Sequence, residues 1–137
     1  MAFVHGKSAA FKLDNSSGSL VDYSAYLEEV SMPRSIETAE TTTFGSSAKS
    51  YITGLSDATI SISGKFDSAA DATLAAVLGQ AATLSFEYGP AGSTAGLIKY
   101  SGECIMTSYE IGASVGDAVT ASVELQVTGT ITRGTWS

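Results

Sequence analysis

Two stretches of this chain alternate strictly between apolar and polar residues. In residues 57–66, Ala58, Ile60, Ile62, Gly64 and Phe66 fall on one side, and Thr59, Ser61, Ser63 and Lys65 on the other. In residues 119–127, Val119, Ala121, Val123, Leu125 and Val127 form the inward set, and Thr120, Ser122, Glu124 and Gln126 the outward set. A period of two with one apolar side is the pattern of a half-buried strand. Residues 81–88 repeat it, with Leu84, Phe86 and Tyr88 opposite Thr83, Ser85 and Glu87. Residues 10–13 read as a short strand, ended by the turn residues Asn15-Ser16-Ser17-Gly18-Ser19. Residues 97–112 carry one bent strand or two, broken near Ser101-Gly102. In an unbroken strand Glu103 and Glu110, seven apart, lie on opposite faces.

One segment reads as helix. Residues 68–78, SAADATLAAVL, open on Ser68 as N-cap with Asp71 three positions on, and close on Gly79. Leu74, Val77 and Leu78 make a single apolar stripe. Residues 20–30 fit either a helical turn or an extended segment, and Pro33 ends it either way. Strands, one helix, then strands predict a mainly β fold: a small β-sandwich or partly open barrel with one flanking helix.

Between Pro33 and the first alternating strand lies a polar segment without period. It contains Phe44, Tyr51 and Ile52, with Gly45 and Gly54 as bending points. A long irregular arm of this kind, residues 37–55, is uncommon on a compact domain and is usually functional or disordered. Its isolated apolar residues are the candidate anchors for a partner, because aromatic residues dominate interface energetics. The alternative is a loose surface loop that folds these residues back onto its own domain.

At 137 residues the chain has the size of one domain, expected to span 1–137 with an N-terminal segment 1–8 extending from it. Charged residues are 15%, below the usual quarter, which suits a surface covered by partners. The net charge of −7 argues against an electrostatic grip on nucleic acid. The single cysteine, Cys104, allows no intramolecular disulfide and reads as a buried apolar residue. No signal-peptide pattern and no membrane-length apolar run are visible. The one histidine, His5, has no second histidine to share a metal and none of the partners of a nucleophile. The carboxylate pairs Glu28-Glu29 and Glu37/Glu40 read as solvated. Neither a catalytic site nor a cofactor or metal site emerges, and no enzyme is expected.

The runs TTTFG and KSYITGL, followed by D-x-T-x-S-x-S-G-x-F-D, cover residues 41–67 and resemble the major tail tube proteins of long, non-contractile phage tails. The resemblance extends from about Leu20 to Trp136. It implies hexameric rings stacked into a tube through which DNA passes without specific binding. It also implies assembly in the host cytoplasm, residence in the virion tail, and tape-measure and tail-tip or terminator proteins as partners. On this view Phe44, Gly45, Tyr51, Ile52 and Gly54 form a ring-to-ring contact arm. Thr120, Ser122, Glu124 and Gln126 line the lumen, together with Glu103 or Glu110, one of which is expected to point away. The C-terminal residues 133–137 are a further candidate contact, and Trp136 is expected to be sheltered from water. Two other readings stay open. One is a secreted ligand- or carbohydrate-binding module with Tyr88, Tyr100 and Tyr109 as an aromatic platform. The other is a related ring protein, either a tail terminator or an injection-system tube.

Overall fold

A computed structural model of the chain describes residues 6–137. His5 and the rest of segment 1–5 lie outside the described residues. Eight strands and one helix follow in order: β1 (Ala10–Asp14), β2 (Leu20–Asp22), β3 (Leu27–Ser31), β4 (Arg34–Glu40), β5 (Tyr51–Lys65), α1 (Ser68–Val77), β6 (Leu84–Gly89), β7 (Ile98–Gly112) and β8 (Thr120–Thr135). They form a single sheet in the order β2-β1-β6-β7-β8-β5-β3, with β4 paired to the far part of β5. Every pairing is antiparallel. The sheet curls into a half-barrel rather than splitting into two facing layers. The expected mainly β fold with one helix is what forms.

The alternating segments supply the core as their period requires. Ala58, Ile60 and Ile62 of β5 and Val123, Leu125 and Val127 of β8 are buried. They are joined by Phe11, Leu13, Leu84, Phe86, Cys104 and Met106. The helix covers this face with Ala70, Leu74 and Val77. Leu78, expected in the same stripe, sits at the C-cap and is exposed. The N-cap also lies one residue earlier than expected. Asp67 is extended, and its Oδ2 accepts the Ala69 and Ala70 N–H groups at 3.0 and 3.1 Å. A carboxylate caps as well as a hydroxyl and also complements the helix dipole.

Residues 20–30 resolve into two strands around a turn, β2 and β3, rather than a helix. Tyr23 in that turn is buried, and its hydroxyl hydrogen-bonds Thr73 of the helix at 2.7 Å. The Asn15 side chain fixes the preceding turn by accepting the Ser17 and Ser19 N–H groups. At the other terminus Trp136 is 8% exposed, as its expected shelter requires. Its indole lies against Gly89, and the Lys12 and Lys99 ammonium groups stand 5.1 and 5.2 Å from the ring.

Three strands run further than their patterns foretold. β5 begins at Tyr51, β8 continues to Thr135, and β4 occupies what reads in sequence as an irregular arm. β4 and the first half of β5 form a hairpin, from Arg34 opposite Ala58 to Glu40 opposite Tyr51. All seven residues of β4, and β5 up to Asp57, are exposed. The arm is therefore an ordered two-stranded ribbon with both faces in water.

Candidate assembly surfaces

The ribbon holds three of the five arm residues within its strands. Tyr51 opposes Glu40, Ile52 opposes Ala39, and Gly54 lies at a register shift beside Glu37. A Cβ on Gly54 would come within 3.3 Å of the Glu37 Cβ, so this glycine serves a tight bulge, not a free bend. Phe44 and Gly45 occupy the connecting loop, residues 41–50. Gly45 has φ +90°, which supplies the expected bend. Phe44 is wholly exposed, while Tyr51 and Ile52 are more than half exposed. Ile36 and Leu55, which no sequence pattern singled out, join them as exposed apolar residues of the ribbon. None of these side chains folds back into the core. Such a surface exposes apolar area that soluble monomers seldom leave in one place.

The opposite surface of the sheet from the helix is polar. Cross-strand partners share a face, so the register sorts the side chains directly. Ser61 faces Glu124, Ser63 faces Ser122, Lys65 faces Thr120 and Thr59 faces Gln126. On the other side of β8, Glu110 faces Ser122, Ser108 faces Glu124 and Glu103 faces Thr128. Glu103 and Glu110 thus lie on one face, contrary to the expectation of opposite faces. The cause is a one-residue bulge at Thr107. Met106 pairs with Leu125 and Ser108 with Glu124, leaving Thr107 unmatched and its hydroxyl bonded to the Glu124 carbonyl at 3.2 Å. The extra residue inverts the parity of everything that follows.

Hydroxyl groups hold two of these carboxylates in place. Glu103 accepts from Thr83 Oγ1 at 2.8 Å and Ser85 Oγ at 2.5 Å. Glu124 accepts from Ser61 Oγ at 2.8 Å. Gln126 does something else. Its amide donates to Asp57 Oδ1 at 2.8 Å and to the Ala58 carbonyl at 3.1 Å, at the point where β5–β8 pairing stops. Beyond it β5 pairs only with β4, and β8 only with β7. The two strands flank a cleft of about 280 Å³ bounded by Arg34, Asp57 and Ile131.

The remaining candidates behave as structural groups. Cys104 is fully buried, and burial pushes its thiol up to about 12, with Glu103 and Asp14 adding to the effect. A thiol held this firmly neutral is no nucleophile. The three tyrosines do not make one platform. Tyr88 packs on Phe11 with ring centroids 6.4 Å apart, and Tyr100 lies beneath Arg34. Tyr109 donates its hydroxyl to Asp71 of the helix at 2.6 Å. Burial and that carboxylate raise the Tyr109 hydroxyl well above its ordinary value. Among the described residues no group of His, Cys, Asp and Glu could hold a metal ion, and no helix is long and apolar enough to cross a membrane.

Residues 4–133 match the family described as phage tail tube protein. The chain belongs to that family. Solved structures show the same fold in this tail tube protein's neighbours. The tail of an empty gene transfer agent particle, computed with C6 symmetry, superposes with a TM-score of 0.80 at 20% identity, covering 95% of this chain and 98% of that one. The SPP1 tail tube gives 0.77 at 14% identity, covering 97% and 80%. A chain of an extracellular contractile injection system, solved as a PVC sheath–tube complex in its extended state, gives 0.67 at 14%, covering 97% and 92%. Among curated protein sequences none matches the chain. The tail tube protein is a structural component of the virion tail.

Proposed function

We propose that this tail tube protein assembles as hexameric rings that stack into a conduit, with the polar face of the half-barrel lining the lumen. The observation that carries the lumen assignment is the bulge at Thr107, which collects Glu103, Glu110 and Glu124 on one hydroxyl-rich face. The C6 symmetry of the related tail supports the ring number. Pairing of the sheet edges between subunits would close the half-barrels into one continuous wall and leave no edge unpaired. A channel rich in Lys and Arg would hold DNA by counterion release, whereas carboxylates repel phosphate over about 8 Å at physiological salt. The cations that share this face stand at its margins. Lys65 is at the end of β5 and pairs with Glu28, while Lys12 and Lys99 stand over Trp136, with Lys99 paired to Glu87. The β4–β5 ribbon is the ring-to-ring contact, with Phe44, Tyr51 and Ile52 as its anchors. Tape-measure and tail-tip or terminator proteins are the expected partners inside and at the ends of the tube. The role is structural and involves no catalysis.

Charge reversal tests the lumen. Glu124→Lys changes the charge of each subunit by two units without touching the core. Tubes should form, and genome ejection should slow by at least several fold, with the defect shrinking as salt is raised. Ejection at the wild-type rate from tubes of normal length would exclude Glu124 from the lumen.

A further inference from the structure

The two ends of β5 each carry an exposed apolar cluster. At one end stand Ile36, Phe44, Tyr51, Ile52 and Leu55 of the ribbon. At the other stand Phe66, Ile111, Val115 and Val119, drawn together by the β7–β8 hairpin and by the bond from the Phe66 N–H to the Val119 carbonyl at 2.9 Å. The 15 residues of β5 span at most about 50 Å from end to end, at roughly 3.3 Å per residue, and the two clusters stand towards its opposite ends. Two different patches at opposite ends of one subunit suit an end-to-end contact between successive copies. Joined head to tail they make a contact that repeats without closing.

The second end has the features of a receptor. Below the hairpin tip lies an open cleft of about 400 Å³ lined by Gly112, Ala113, Ser114, Asp117, Ala118 and Thr120, with Lys65 at its side held by Glu28 at 3.4 Å. Val115 beside it is wholly exposed, at 105%, as Phe44 is at 107%. The loops also match in charge. Residues 41–50 contain a single charged group, Lys49, and residues 113–119 contain a single one of opposite sign, Asp117. The Ser114 hydroxyl donates to the Asp117 carboxylate at 3.1 Å and keeps it at the rim of the cleft.

We infer that the cleft under the β7–β8 hairpin receives the ribbon tip of a second copy in the adjacent ring, with Phe44 in the cleft and Lys49 facing Asp117. This rests on the ribbon being the ring-to-ring contact. It adds the surface that the ribbon meets.

The test is a charge exchange in the full chain, with tube growth followed by light scattering and electron microscopy. Lys49→Glu and Asp117→Lys each place like charges across every stacking contact and should slow growth at least tenfold. The double variant restores opposite signs and should grow within about twofold of wild type. Growth of Asp117→Lys at the wild-type rate, or a double variant as slow as either single, overturns the proposal. Phe44→Ala separates the two levels. Normal tubes from that variant remove the ribbon's role altogether, whereas its failure beside normal growth of Asp117→Lys removes only the cleft. Should Asp117→Lys lose its fold, Val115→Ser alters nothing but an exposed side chain, and normal growth from it counts against the cleft equally.

Discussion

Gly64 is the position where this fold tolerates a side chain least. It lies on the buried face of β5, where a strand residue would ordinarily be apolar and large. The Tyr26 carbonyl occupies the space instead. A Cβ built on Gly64 would lie 2.0 Å from the Tyr26 oxygen and 2.7 Å from the Leu27 Cα. Both obstacles are backbone, so no rotamer change relieves them. The next residue anchors the same carbonyl, for Lys65 N–H donates to Tyr26 O at 2.9 Å. Gly64→Ala must therefore push β3 away from β5 where Leu27 opposes Gly64 and the register already shifts. Overpacking costs about 1–3 kcal/mol and the lost hydrogen bond about 1 kcal/mol. The sum is about 3 kcal/mol, or roughly 10 °C in Tm for a chain of this length. The measurement is thermal and urea unfolding of unassembled subunits. Gly116→Ala is the control. Its φ of +94° strains an alanine, but nothing stands within 4 Å of the added Cβ, so about 1 kcal/mol is expected. Equal destabilisation by the two substitutions would refute the steric account.

Asp67→Ala should cost about 1 kcal/mol through loss of the helix cap, while Ser68→Ala should leave urea unfolding nearly unchanged, because the bonds to Ala69 and Ala70 come from Asp67. Cys104 should resist a thiol reagent at pH 8 in the folded protein and react fully in denaturant. Its folded value near 12 lies above the ordinary thiol value of 9.0, so the folded state keeps the proton longer. The stability this contributes is complete below pH 9 and declines as pH rises from 9 towards 12, and Cys104→Ala should flatten that decline.

How far each element was legible follows from what its sequence periodicity records. β5 beyond Ala58 and β8 up to Val127 were readable because each has one face in the core and one out. The same two strands become silent where they leave the core. Residues 51–57 are exposed throughout, and in residues 128–135 Ile131 alone packs against the core, so neither run alternates, since burial is what imposes alternation. β4 is silent for the same reason, and the ribbon reads as an irregular arm although its backbone pairs from Arg34 to Glu40. Exposed apolar residues were recognisable only when aromatic or isolated in a polar run, as Phe44 is. Val115, fully exposed in a hairpin of small residues, carried no such contrast.

The bulge at Thr107 shows a different limit. Parity along a strand is readable only if no residue is inserted, and the stretch Met106-Thr107-Ser108 has no glycine or proline to mark an insertion. Its consequence is nonetheless large. Without the extra residue Glu110 would turn to the helix side of the sheet, where Tyr109 now reaches Asp71. A second carboxylate beside Asp71 in that seam would be both desolvated and repelled. With the extra residue, Tyr109 stays inside to meet Asp71, and Glu110 joins Glu103 and Glu124 outside. One inserted threonine thus reconciles two demands on β7, a core face through Cys104 and Met106 and an outward face that carries both Glu103 and Glu110. The surface assigned to the lumen is consequently set by the backbone register as much as by which residues are acidic.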